Sequence, residues 1–63
     1  MKKIYSGKEF RRLLIDNGYK YERCRGDHMI YSKNGKIISF NIIKLNRMVA
    51  RRLIKENNLR ENT

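Results

Sequence analysis

One histidine, one cysteine and six carboxylates are the residues from which this sequence could build a metal site or acid–base chemistry near neutral pH. Imidazole is the side chain that titrates near neutrality, so His28 is the natural proton carrier. Cys24 stands alone: it cannot close an intrachain disulfide, has no second cysteine to share a zinc ion, and reads as a small strand residue. The carboxylates are dispersed, whereas two-metal phosphodiester chemistry needs several acids in one cluster. Four glycines, Gly7, Gly18, Gly26 and Gly35, are too scattered to form a phosphate-cradling loop. The expectation is therefore chemistry with no metal and no cofactor, centred on His28.

RNA suits so sparse a site because it carries its own nucleophile. Removing a proton from a 2′-hydroxyl lets that oxygen attack the adjacent phosphorus, and a nearby cation stabilises the charge that builds on the phosphate oxygens. Lys20, Arg23, Arg25, Tyr31 and Lys36 are all conceivable helpers on the phosphate side. The side of the sheet on which His28 lies stays open, since a one-residue slip of register would reverse it. By residue type alone, a lone histidine at a strand start is more often an ordinary surface or structural residue.

Charge points the same way. Sixteen Lys and Arg against six Asp and Glu give a net charge of +10 over 63 residues. Such a charge repels itself in the folded state, and a polyanionic partner is the obvious reason to keep it. Nucleic acid fits best, because neutralised phosphates release counterions and supply affinity. No stretch approaches the roughly 20 apolar residues that span a bilayer. Nor does any segment pair a basic face with bulky exposed apolar residues, so a membrane role is not expected. Ser6 to Glu9 interrupts the apolar run that a signal peptide would need, and the expected location is cytoplasmic.

The elements that would hold His28 can be read from spacing. Ser6 and Glu9 form a capping box, with Tyr5 and Phe10 at hydrophobic-staple positions, and open a helix from Gly7 to about Asn17. Gly18 supplies its left-handed stop. Phe10, Leu13, Leu14 and Asn17 share one stripe; Lys8, Arg11 and Arg12 lie opposite, with Ile15 exposed among them. Tyr19 to Cys24 reads as a strand, Arg25 to Asp27 as a turn, and His28 to Ser32 as a second strand. Asn34-Gly35 is the signature of a type I′ hairpin, and returns the chain as a third strand from Lys36 to about Ile42. A second helix is expected from about Arg47 to Asn57, between Asn46 as cap and Asn58 as left-handed stop. Its stripe of Asn46, Val49, Ala50, Leu53, Ile54 and Asn57 faces inward. Arg47, Arg51, Arg52 and Lys55 gather outside around Met48. The tail from Arg60 to Thr63 is expected to fray.

The order α-β-β-β-α predicts one α+β domain over residues 1–63, a three-stranded antiparallel sheet with both helices on one face. That arrangement buries both apolar stripes and turns both basic faces outward. The predicted RNA-binding residues are accordingly Lys8, Arg11, Arg12, Arg47, Arg51, Arg52 and Lys55, since a merely soluble surface mixes signs.

The segment Gly26-Asp27-His28-Met29-Ile30-Tyr31, followed by Asn34-Gly35-Lys36, resembles the HicA family of mRNA interferase toxins. Those proteins are short and basic, with a Gly-Ser-His-His-Ile-Tyr type segment leading into an Asn-Gly hairpin. Ser6-Gly7-Lys8-Glu9 before the first helix and Asn17-Gly18-Tyr19 after it are similar too, so the resemblance runs from Lys2 to Leu59. It implies a fold like the double-stranded RNA-binding domain and an endoribonuclease that arrests translation by cutting mRNA. It further implies His28 as the catalytic histidine and a HicB-type antitoxin as inhibitory partner. Asp27 stands where the family has Ser, and Met29 where many members have a second His. The family's histidine-containing segment after the third strand reads Asn41-Ile42-Ile43-Lys44 here, and the usual proline near the start of the second helix is missing. These departures leave a non-catalytic RNA-binding module of the same fold as the alternative. A third reading, an interaction protein for an acidic partner, draws on Ile15 and Met48 as apolar islands among charges.

Overall fold

A computed structural model describes residues 4–61. Helix α1 spans Gly7–Asp16. Strands β1 (Lys20–Arg25), β2 (His28–Lys33) and β3 (Lys36–Asn41) follow, and helix α2 spans Arg47–Asn57. The fold is α+β in the order α-β-β-β-α, and the sheet is an antiparallel meander with β2 in the centre.

Local chemistry explains each boundary. Ser6 Oγ accepts from Glu9 N–H at 3.2 Å while Glu9 Oε1 accepts from Ser6 N–H at 3.0 Å, so the capping box is complete. Gly18 then turns the chain at φ +88°. Asn34 and Gly35 both take positive φ, +48° and +82°, as a type I′ hairpin requires. Asn46 caps α2 by accepting from Val49 N–H at 3.0 Å, and Asn58 ends it in the left-handed region at φ +55°.

Side-chain alternation along the strands sends Met29 and Tyr31 of β2, with Ile38 and Phe40 of β3, toward the helices. There they meet Phe10, Leu13 and Leu14 of α1 and Ala50, Leu53 and Ile54 of α2, with Tyr5, Tyr19 and Leu59 closing the margins. Phe10 lies edge-on to Phe40 with centroids 5.1 Å apart, so the first turn of α1 packs on the edge strand β3. Among the described residues, all the buried ones are apolar or aromatic, on one side of the sheet. The smallest dimension of the Cα trace, 17 Å, has room for one sheet and one layer of helices. Among the described residues, nothing covers the other sheet face.

The tail is tied down rather than frayed as far as residue 61. Asn17 Oδ1 accepts from Arg60 N–H at 2.7 Å and Asn17 Nδ2 donates to Arg60 O at 3.0 Å. Glu61 accepts from Tyr5 Oη at 2.8 Å and pairs with Arg51. These partners come from distant parts of the chain, which local composition does not reveal. Residues 62–63 of the expected frayed tail lie outside the described residues. Among the described residues no helix is long and apolar enough to cross a membrane.

Candidate nucleic-acid interface

The uncovered face is built from every second residue of each strand. Since Met29 and Tyr31 point to the core, His28, Ile30 and Ser32 point away from the helices. Ser39, Ile37 and Asn41 of β3 lie beside them, Ser39 opposite Ile30, Ile37 opposite Ser32 and Asn41 opposite His28.

Strand β1 contributes through an irregularity. Tyr21 pairs with Tyr31, but the next residue to find a partner is Arg23, opposite Ile30; Glu22 is the extra residue of a bulge. The bulge reverses the parity of the rest of the strand. Arg23 and Arg25 join the open face, while Cys24 falls opposite Met29 on the other. Without it, Arg23 and Arg25 would alternate to the helix side. Glu22 stays on the open face as well, where Ser32 Oγ donates to its Oε2 and Lys20 Nζ lies 3.9 Å from the same oxygen.

Arg25 and His28 thus stand directly opposite each other at one end of the sheet. Directly paired residues hold their Cβ atoms about 4.5–5.5 Å apart, so a guanidinium can reach any anion that touches the imidazole. Both side chains are exposed. Asn41, on the other flank of His28, has its side-chain oxygen occupied by Ile43 N–H at 2.9 Å and Lys44 N–H at 2.8 Å. The turn below is pinned where Ile42 N–H donates to Asp27 O at 2.9 Å. The start of α1 abuts the same end, since a Cβ on Gly7 would lie 2.2 Å from Ile42 O. His28 therefore sits on a braced corner, with the β1–β2 turn, the end of β3 and the first turn of α1 locked together.

The helper residues left open by the sequence now separate. Arg25 shares a row with His28 and Arg23 sits one row along. Tyr31 is fully buried and its hydroxyl accepts from Arg11 Nε at 2.5 Å. Lys36 pairs with Lys33 beside the hairpin turn, and Lys20 lies at that end too, opposite Ser32.

The basic residues expected to bind RNA divide into two groups. Lys8, Arg12, Arg47, Arg52 and Lys55 are exposed on the helices, hence on the layer away from His28. Arg12 and Arg52 carry partial counterions in Asp16 at 3.2 Å and Glu56 at 3.9 Å. Arg11 and Arg51 do not face outward as expected. Arg11 folds over the Tyr21 ring, 6.0 Å from its centroid, to reach Tyr31. Arg51 is half-buried against Glu61, with its Nη1 unpartnered among the described residues. Their long side chains lie down over apolar neighbours at the rim of the core, which a helical wheel cannot register.

Sequence reasoning missed the bulge and with it the arginine row. A signal was present: the aromatic residues that open the first strand, Tyr19 and Tyr21, are odd-numbered, while Cys24 breaks that alternation. Away from this face, burial pushes the Tyr5 phenol from 10.0 up to about 12, reinforced by its hydrogen bond to Glu61. Comparison with known families, characterised proteins and solved structures finds no match to this chain.

Proposed function

We propose that the chain is a metal-independent endoribonuclease of the HicA type, a toxin that cuts mRNA and so inhibits translation. The observation that carries this reading is the direct pairing of His28 with Arg25 on the uncovered, exposed face of the sheet. The Gly26-Asp27-His28 segment, the Asn34-Gly35 hairpin and a net charge of +10 support it from the sequence.

In this reaction the imidazole of His28 accepts the proton of a 2′-hydroxyl. The O2′ then bonds to the adjacent phosphorus and the bond to the 5′-oxygen of the next nucleotide breaks. A 2′,3′-cyclic phosphate and a 5′-hydroxyl remain, the second proton coming from water or from the imidazolium. Arg25, with Arg23 behind it, offsets the charge on the phosphate oxygens. A HicB-type antitoxin would inhibit by covering the same exposed face.

The test is incubation of the purified protein with long single-stranded RNA in excess chelator, beside His28→Ala. Cleavage by the wild type with loss of about 10²–10⁴ in rate for the variant is expected; equal cleavage by both would remove His28 from the mechanism. A second reading, a non-catalytic RNA-binding module, is favoured by the exposed Lys8, Arg12, Arg47, Arg52 and Lys55 on the opposite layer. It requires salt-sensitive binding by both proteins and turnover by neither.

A further inference from the structure

The open face carries more than the His28–Arg25 row. Toward the hairpin it dips into a shallow groove of ≈ 560 Å³, lined by Glu22, Arg23, Ile30, Ser32, Gly35 and Ile37. Its floor is apolar: Ile30 is half-buried, and Ile37 keeps 69% of its surface exposed. Its rim holds one carboxylate and one guanidinium. Gly35, with no side chain, leaves the hairpin end open.

We propose that this groove is a base-recognition subsite, and that it takes a guanine of single-stranded RNA. The inference rests on the open face being an RNA surface, and adds what that surface reads. A flat apolar floor suits a base face that has left its stack, which is how single-stranded RNA exposes sequence. The groove is continuous with the catalytic row. Ile30 lies two residues from His28 along β2, about 6.6–6.8 Å, so the recognised base belongs to a nucleotide beside the one cleaved. Arg23, directly opposite Ile30 and one row along from His28, is within reach of the phosphate that links the two nucleotides.

Glu22 selects the base. An ionised carboxylate only accepts hydrogen bonds, so it favours an edge that presents donors. Guanine alone presents two adjacent donors, N1–H and the N2 amino group, on its Watson–Crick edge. Adenine and cytosine place an acceptor next to their amino group, and uracil flanks its one N–H with two carbonyls. The orientation of Glu22 is held by its neighbours. The Ser32 hydroxyl fixes Oε2, Lys20 lies 3.9 Å away, and Oε1 has no partner among the described residues. Each carboxylate oxygen has two lone pairs, so Oε2 can accept a second bond. The bulge at Glu22 is what sets this carboxylate and Arg23, consecutive in sequence, on one face.

Two measurements separate this subsite from the ribonuclease reading. The first is binding of His28→Ala to short uridine oligonucleotides with or without a single central guanosine. About tenfold tighter binding of the guanosine oligonucleotide is expected, falling to parity in the Glu22→Gln/His28→Ala double variant and weakened by Ile37→Ser. Both substitutions are at exposed positions and leave the fold intact. The second maps the ends produced by the wild type on a long RNA, where cuts should fall next to guanosine, and Glu22→Gln should scatter them. Equal binding of all oligonucleotides, or a guanosine preference that survives Glu22→Gln, would overturn the proposal even if the RNA is cut. A preference seen in binding with no cleavage by the wild type would keep the subsite and remove the ribonuclease. Protection of Ile30 and Ile37 by an acidic peptide but not by RNA would also overturn it, in favour of a protein occupant.

Discussion

At the scale of single residues, the site is defined by which side chains stand opposite one another. Arg25 is the cross-strand neighbour of His28; in the proposed reaction its contribution would lie in the charge that develops, not in ground-state grip. Arg25→Ala is expected to lower kcat by about 10² while changing KM by much less. A loss confined to KM, measured on a short RNA under chelation, would make Arg25 a binding residue only. Lys33 shows how context decides the job of a cation. Its ammonium donates to Asn17 O at 2.7 Å and lies 5.6 Å from the Tyr19 ring centroid. It is thereby committed to the carbonyl end of α1, and with Arg11 and Arg51 it serves the fold.

At the scale of elements, the corner that carries His28 depends on a close approach. Alanine is the better helix former, so Gly7→Ala should stabilise α1 by up to about 1 kcal/mol on propensity. Its Cβ, however, would meet backbone Ile42 O at 2.2 Å, and neither partner can swing away. Net destabilisation by about 1–3 kcal/mol is expected, read as a lower denaturant midpoint with an unchanged slope. An unchanged midpoint would mean that α1 and the end of β3 do not touch. The tail gives a second test. Folding holds the Tyr5 proton more tightly than the unfolded chain does, since the phenol rises from 10.0 to about 12. Stability from this group is complete below pH 10.0 and is lost as pH rises through about 12. Tyr5→Phe removes that slope: its midpoint should fall less than the wild type's as the pH is raised above 10.0.

For the whole molecule, the proposed RNA binding turns on which layer meets the polyanion. A net charge of +10 attracts RNA from every direction, so long-range steering alone does not choose a face. Charge reversal does. Replacing Arg23 and Arg25 by Glu should reduce the slope of log affinity against log salt by about 0.7 for each phosphate no longer neutralised. Replacing Arg52 and Lys55 should change both the affinity and that slope much less. The opposite result would move the RNA to the helix layer and favour the non-catalytic reading. Met48, 82% exposed, and Ile15 sit on that layer, so this variant pair also separates RNA binding from a protein interface there.

Much of the fold was legible in the sequence because its signals are local. The capping box of Ser6 and Glu9, the Asn34-Gly35 turn and the left-handed Asn58 act within four residues, and two apolar stripes leave one arrangement that buries both. The type and order of elements followed, as did the inward stripe of each helix. The candidate site was legible only as a residue type, His28, with a family resemblance around it. Its face, its partner and its neighbours were decided by pairing between strands. A single extra residue at Glu22 turns Arg23 and Arg25 toward His28 and Cys24 away, and side-chain alternation of period two makes any such insertion all-or-none. The same limit applies to Arg11, Arg51 and the tail. Their partners Tyr31, Glu61 and Asn17 come from distant parts of the chain, and only tertiary structure brings them within hydrogen-bond reach.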